Sequence, residues 1–365
     1  MTWRKGFLRK ANSVTIFTTV VSKNQSLLNG VEAGNANPRD IRPEDYELID
    51  SLSDKLRHLI NYAILAPSTH NTQPWLFRVS DKSIEVLADR SRALAVIDPD
   101  DKGLAISCGA ASGMLAIALS AVGFQFHVAH LPDSYEPDLV SRFRITDQVK
   151  PEADWKDTLT KIRLRRSVRA GFKNEALSDS SLLHLQLSER YDDCHLKWVD
   201  SVEQEKHVLD AILKTEKDRQ FDKHYLRENA SWINPIRVRS RDGIPANVGK
   251  MPSLSQLWAP AISFNEQNER ITRLSIVETM GNRPIQWVRA GFTMANALIH
   301  SSKTGLSSAI VHHPLYIPEI QSKMESVLTH GYTAQILLRF GHAEHAPSTP
   351  RRSLVEVMMH PGFRH

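Results

Sequence analysis

Two cysteines, Cys108 and Cys194, are all that this chain of 365 residues contains, and they lie 86 positions apart. There is no Cys-x-x-Cys, which excludes a zinc ribbon and a dithiol redox motif. No Gly-x-Gly-x-x-Gly, P-loop or Gly-x-Ser-x-Gly elbow occurs, so the marks of a Rossmann site, a nucleoside triphosphatase and an α/β-hydrolase are missing. Charge of one sign is scarce as well: 46 Lys and Arg stand against 41 Asp and Glu, a net charge of +5. That excess is too small and too scattered for the basic stripe of a nucleic-acid binder. With 41% apolar and 24% charged residues the composition is that of an ordinary globular protein, so disorder, collagen and coiled coil do not describe the whole chain. At roughly 150 residues per domain the length suggests about two domains, and such a chain can bury its core without disulfides or a structural metal.

Long apolar runs are also few. A long uncharged run, 106–128, is rich in small residues, chiefly Gly, Ala and Ser. Its length would permit a membrane span, but its small residues suit a buried, closely packed helix better, and no stable membrane insertion is expected. The N-terminus begins with Arg4-Lys5-x-Phe7-Leu8-Arg9, continues through a weak apolar stretch to Val21, and reaches Val31-Glu32-Ala33. Those are the three parts of an export signal, here similar to the twin-arginine type. Residues 1–43 therefore carry two open readings: a signal leading to the periplasm, or an unstructured leader, ending near Pro38, of a cytoplasmic protein.

Apolar residues at three- and four-residue steps predict a helix over 44–66. Strands are expected at 74–79, 84–88, 125–130 and 139–145, with helices over 105–122 and 155–166. Two features repeat. A helix running from Gly109 to Gly123-Phe124 has a counterpart running from Gly291 to Gly305-Leu306, with the same 14-residue spacing and 182 positions between the copies. Arg142-Phe143 and Arg339-Phe340 are each expected to close a strand. The pattern predicts an α+β chain of two similar halves, 44–150 and 151–365, joined near Pro151. The second half holds an aperiodic stretch, 232–260, bracketed by Trp232 and Trp258. A connection of that length reads as a lid or a disordered segment.

The densest chemistry is Ala66-Pro67-Ser68-Thr69-His70-Asn71-Thr72-Gln73-Pro74-Trp75. Two prolines stiffen this loop, while Ser68, Asn71 and Gln73 offer donors and acceptors that could read a polar ring edge or a polyol. Taken alone it is equally an ordinary capped turn. The loop closely resembles the flavin-binding loop of the nitroreductase family. The stretch Arg163-Leu-Arg165-Arg166-Ser167-Val-Arg169-Ala-Gly-Phe172 resembles that family's opening Arg-Arg-Ser-x-Arg-x-Phe, with one extra residue before the phenylalanine. Leu337–Gly341 followed by Arg351-Arg352 resembles its last strand and basic tail, and Gly305–Ile310 resembles a segment that passes beside the isoalloxazine ring.

The resemblance covers about residues 45–358 and implies a nitroreductase-like fold with one non-covalent FMN. Arg165, Arg166, Ser167 and Arg169 would hold the phosphate, helped by Arg351 or Arg352. Guanidinium groups and a hydroxyl suit that ligand. Pro67, Ser68, Asn71 and Gln73 would contact the ribityl chain and ring, and Ser307, Ser308 and Ala309 would lie beside the ring. The implied donor is NAD(P)H and the acceptor a nitroaromatic or quinone-like small molecule. Flavin N5 carries the redox chemistry, so no catalytic side chain is assigned.

This chain departs from the family in order. The loop comes first and the arginine motif second, and each half lacks what the other has; 183–200 stands where a second loop would be. The arrangement resembles the fused, Acg-type branch, with both partners of a dimer in one chain, as a monomer or weak homodimer. In that branch a lid and a flavin-sequestering role are the alternative to reductase activity. His312-His313 and His342-x-x-His345 belong to no ligand set of suitable spacing and read as surface or loop histidines, so no metal is expected. Cys108 reads as a packing residue.

Overall fold

The computed structural model describes residues 37–359 apart from 170, 187–190, 200, 220, 234–239, 245–262, 265, 268, 312 and 317. The leader through residue 36, with its export-signal reading, lies outside the described residues, as does most of 232–260.

The first half contains α1 (Leu52–Ala63), β1 (Trp75–Ser80), β2 (Ser83–Ala88), α2 (Lys102–Ala121), β3 (Phe124–His130) and β4 (Leu139–Gln148). After α3 (Trp155–Leu164) the second half repeats the plan with α4 (Asp179–Gln186), β5 (Cys194–Trp198), β6 (Thr272–Met280), α7 (Pro284–Lys303), β7 (Ser307–Val311) and β8 (Tyr332–Gly341). The two four-stranded sheets have the same order, β1-β2-β4-β3 and β5-β6-β8-β7, and all pairings are antiparallel. The chain is therefore α+β in two like halves.

The halves differ in their connections. A two-residue turn, Asp81-Lys82, joins β1 to β2, whereas 199–271 separates β5 from β6 and carries α5 (Val202–Arg219) and α6 (Lys223–Trp232). This insertion is tied to its sheet by Glu205 of α5, fully buried, which pairs with Arg270 at 3.0 Å and faces Arg339 of β8 at 3.7 Å.

At the centre α2 packs along α7. A Cβ on Gly109 would overlap the carbonyl of Val288, and one on Gly291 would overlap the carbonyl of Ile106. These paired glycines let the backbones touch, which is the physical content of the sequence repeat. Each helix is closed by a left-handed glycine, Gly123 (φ 85) or Gly305 (φ 79). The small-residue run is thus buried between the halves; it also forms the one described helix long and apolar enough to cross a bilayer.

Three expected elements differ in extent. The helix predicted over 44–66 is a 3₁₀ turn (Pro43–Leu48) and then α1. The chain becomes extended at Ile49 and restarts at Ser51, whose hydroxyl accepts from the Asp54 N–H and caps the helix. The helix predicted to reach Arg166 ends at Leu164. Arg142-Phe143 lies in the middle of β4, which runs on to Gln148, while Arg339-Phe340 does end β8.

After β8 the chain crosses to the first half. A short helix α8 (Pro318–Met324) lies between β7 and β8, and α9 (Leu354–Val357) packs beyond the tail. The Met359 N–H donates to Phe77 in β1 at 2.8 Å, so the tail covers the free edge of the first sheet.

Candidate functional site

The loop between α1 and β1 is a strained knot. His70, Asn71 and Gln73 all have left-handed φ, at 48, 56 and 52°, a conformation that costs a side-chain-bearing residue on the order of 1 kcal/mol or more. The loop is held by its own bonds and by distant ones. Ser68 Oγ accepts from the Gln73 N–H at 3.0 Å. Asn71 Nδ2 donates to Gly243 at 2.8 Å and to Pro350 at 3.0 Å. Gln73 Nε2 donates to Arg241 at 2.9 Å, and its Oε1 accepts from the Arg352 N–H at 2.8 Å. These distant bonds over-determine the strained conformation and hold it in place.

The arginine motif leaves α3 as extended chain. Arg165 is the last cap residue (φ −52, ψ 131), and the Val168 N–H donates to Ser308 of β7 at 2.8 Å. In extended chain alternate residues share a side. Val168 enters the core around the second sheet, while Arg165, Ser167 and Arg169 line a pocket; Arg166 lines it too, departing from the alternation. Opposite them stand Pro67, Ser68 and Asn71 from the loop, and Thr349 and Arg351 from the tail. Residues from 67 to 351 thus converge on one small cavity.

One residue there was not foreseen. Arg39, only 8% exposed, lines the same pocket and donates from Nη1 to the carbonyl of Arg163 at 3.0 Å. Its only sequence signal was an arginine just past the leader's expected end. With Arg165, Arg166, Arg169 and Arg351 it makes five guanidinium groups around one cavity. Among the described residues none of the five has a carboxylate within ion-pair distance.

Burial, more than mutual repulsion, lowers their proton affinities. Burial pushes Arg39 down to about 8, with Arg166, Arg165 and Arg169 adding repulsion. Burial, then Arg166 and Arg169, pushes Arg165 down to about 9. Arg351 is held well below its ordinary value by burial and then by Arg39 and the motif arginines. Burial lowers Arg166 and Arg169 too. A guanidinium keeps its proton in nearly any protein site, so these five groups stay charged at a cost in desolvation and, for Arg39, Arg165, Arg166 and Arg351, in mutual repulsion. The Nε atoms of Arg39, Arg165 and Arg351 are buried without a hydrogen-bond partner among the described residues.

The other expected residues are distributed as follows. Ser307 and Ser308 line a neighbouring cavity, which shares Arg165 and Arg166 with the first and adds Lys161, Ser301 and Ser302. Ala309 is buried in the core of the second sheet. Gln73 is fully buried, and both its amide groups are taken up by the chain itself. Arg352 turns away from the cluster. It pairs with Asp89 at 3.1 Å and donates to the carbonyls of Gln73 and Trp75 at 3.0 and 3.2 Å. The two adjacent arginines of the tail thus point in different directions, Arg351 into the pocket and Arg352 towards Asp89.

Of the 232–260 stretch, 240–244 is described next to this loop. It lies on the loop through the bonds to Asn71 and Gln73 already given, and the Gly243 N–H donates back to the Asn71 carbonyl at 3.1 Å. Asp242 pairs with Arg92 at 2.7 Å and Arg241 with Glu356 at 3.2 Å.

At the end of β3 an aromatic cluster joins the two halves. His130 bonds Ser141 and Tyr191 at 2.8 and 2.6 Å, and the rings of His130, Tyr191 and Phe292 meet edge to face. Cys108 is buried in α2 and donates to the Pro74 carbonyl at 3.0 Å, and burial raises its thiol far above the usual range.

No family model matches the chain. Several of its curated relatives carry nitroreductase names. "Putative NAD(P)H nitroreductase Rv3131" of Mycobacterium tuberculosis (strain H37Rv) is 26% identical over 324 residues, covering 85% of this chain and 92% of that protein. "Putative NAD(P)H nitroreductase acg" of the same strain is 23% identical over 324 residues, covering 84% and 95%. Among solved structures, the FMN-dependent nitroreductase NfnB of Mycobacterium smegmatis in complex with NADPH aligns at 11% identity and a TM-score of 0.37, covering 54% of this chain and 94% of that one. The resemblance drawn from the motifs thus extends over most of the sequence: the chain is a relative of the nitroreductase-named proteins, Acg among them.

Proposed function

We propose that this chain is an FMN-dependent oxidoreductase that takes reducing equivalents from NAD(P)H and passes them to a nitroaromatic or quinone-like acceptor. The observation that carries the reading is the meeting of five arginines, without a carboxylate partner among the described residues, with Pro67, Ser68 and Asn71 in one pocket. The names and the coverage of the curated relatives support it.

The residues present fit the phosphate end of that cofactor. Buried guanidinium N–H groups without partners and an adjacent serine hydroxyl are the donor set that a phosphate dianion satisfies. Arg165, Arg169 and Arg351 would grip the phosphate, with Ser68 and Ser167 donating from opposite walls. Bound flavin supplies hydride acceptance and donation. The chain's own part is to bind, to orient and to exclude water. The pocket draws on both halves, and the sequence offers one Pro67–Trp75 loop and one arginine motif, so one cofactor per chain is the proposed stoichiometry. A fused pair of subunits, with 44–150 and 151–365 as its two units, accounts for the arrangement.

A second reading is flavin sequestration, and one observation favours it. Segment 241–243 occupies the hydrogen-bonding groups of Asn71 and Gln73, which would otherwise face the ribityl chain and ring. An anaerobic absorption spectrum of the flavin-loaded protein before and after NADPH or NADH tests the two. Bleaching is expected for the reductase. Flavin that is reducible by dithionite but inert to both nicotinamides would replace the first reading with the second.

A further inference from the structure

We propose that Arg39, which precedes the first half and lies outside the family resemblance, is a ligand-holding residue of the phosphate site and sets its preference for a phosphorylated ligand over the same ligand without phosphate. The inference rests on the phosphate assignment of the proposed function and extends it to a segment whose sequence carries no motif.

Three observations place Arg39 in the site. Its turn is fixed locally: the Arg39 N–H donates to Asn37 Oδ1 at 3.1 Å, and the Asp40 N–H donates to the Asn37 carbonyl at 2.9 Å. Its guanidinium is oriented by one bond, from Nη1 to the Arg163 carbonyl near the end of α3. Its Nε is buried without a partner, and the side chain lines the cavity that Arg165, Arg166, Arg169 and Arg351 also line. A residue serving only to close the end of α3 would have no reason to enter a pocket already crowded with like charge. Like charges converge where an anion will separate them. Beyond the arms assigned to Arg165, Arg169 and Arg351, an arm closing from the N-terminal side adds bonds that only the phosphate can accept. Riboflavin, which has the same ring and ribityl chain but no phosphate, would gain nothing from Arg39.

The test measures FMN and riboflavin binding to the full chain and to its Arg39→Ala and Arg39→Lys variants by quenching of flavin fluorescence. In Arg39→Ala the FMN dissociation constant is expected to rise at least tenfold and that of riboflavin to stay within twofold. Arg39→Lys, which keeps the charge but not the fork, is expected to fall between the two. Equal loss for both flavins, or no loss for FMN, overturns the inference. Inorganic phosphate is the second probe. It should raise the thermal midpoint of the wild-type protein, and the rise should shrink by at least half in either variant; an equal rise in all three proteins overturns the inference. A wild-type protein that binds neither flavin, yet is stabilised by phosphate through Arg39, would remove the flavin reading and leave the Arg39 assignment standing.

Discussion

The side-chain oxygen of Asn71 accepts a hydrogen bond from Arg351 at 2.7 Å, across 280 positions of sequence. Arg351 also donates to Thr349 Oγ1 at 2.6 Å and to the carbonyls of Leu65 and Ala66 at 3.4 Å. Through this pair the strained loop of the first half and the tail of the second share one network. Asn71 passes the connection on to Gly243. The Arg351 side chain, the loop conformation and the 240–244 segment are therefore joined in one hydrogen-bonded network.

Arg165 is buried, and its Nη2 donates to the Leu65 carbonyl at 3.2 Å. Replacing it with alanine is expected to weaken FMN binding by about 1.5–3 kcal/mol, the scale of a charged hydrogen bond. A fluorescence titration reads this as a tenfold to hundredfold rise in the dissociation constant. An unchanged constant would remove Arg165 from the phosphate site.

The pair Arg92–Asp242 anchors 240–244 beside the loop, with Arg92 also donating to the Thr72 carbonyl at 3.0 Å. Asp242→Asn should loosen that segment while leaving the arginine cluster intact. Flavin release, followed after dilution into an apoflavoprotein trap, is expected to quicken severalfold, and any reduction by NADPH should quicken with it. Equal release rates in both proteins would show that the segment does not gate the site.

Gly291→Ala places a methyl group against the Ile106 carbonyl. Backbone cannot yield as a flexible side chain can, so α2 and α7 must move apart. Overpacking of that kind costs about 1–3 kcal/mol. Urea unfolding should show a lower midpoint with an unchanged slope. A midpoint equal to that of the wild type would mean that the helices separate freely.

His58 of α1 lies between Tyr46 and Tyr62. Burial, partly offset by Asp45, pushes it from its ordinary 6.5 down to about 4. The unfolded chain therefore takes up this proton first as the pH falls. Stability that is full above pH 6.5 is lost progressively between 6.5 and 4, by about 3 kcal/mol at the end. Denaturant unfolding at pH 7, 5.5 and 4.5 checks this, and His58→Phe should flatten that part of the profile.

Most of the site's components were legible locally. Pro67–Trp75 and Arg165–Arg169 are contiguous motifs whose residue types suit a polyol and a phosphate. The paired helices were legible because Gly109 and Gly291 occupy equivalent steps of a repeat. Element ends were less legible: Ser51 restarts a helix that periodicity alone would continue from 44, and Arg165 leaves one that would continue to 166. Side-chain direction was not legible at all. Arg351 and Arg352 are the same residue type in adjacent positions, yet one faces the pocket and its neighbour clamps Asp89.

The sequence by itself determined the chemistry on offer: a rigid polar loop, a run of arginines, a basic tail and two copies of one α+β plan. Those properties reside in residue type and short spacing, which chain position alone carries. Tertiary structure decided which groups meet. Arg39, Asn71, Arg165 and Arg351 come together only because two glycine-faced helices dock the halves and the tail crosses between them. Whether Gln73 faces a ligand or another segment of the chain depends on contacts well over 100 positions away, and no local pattern encodes those.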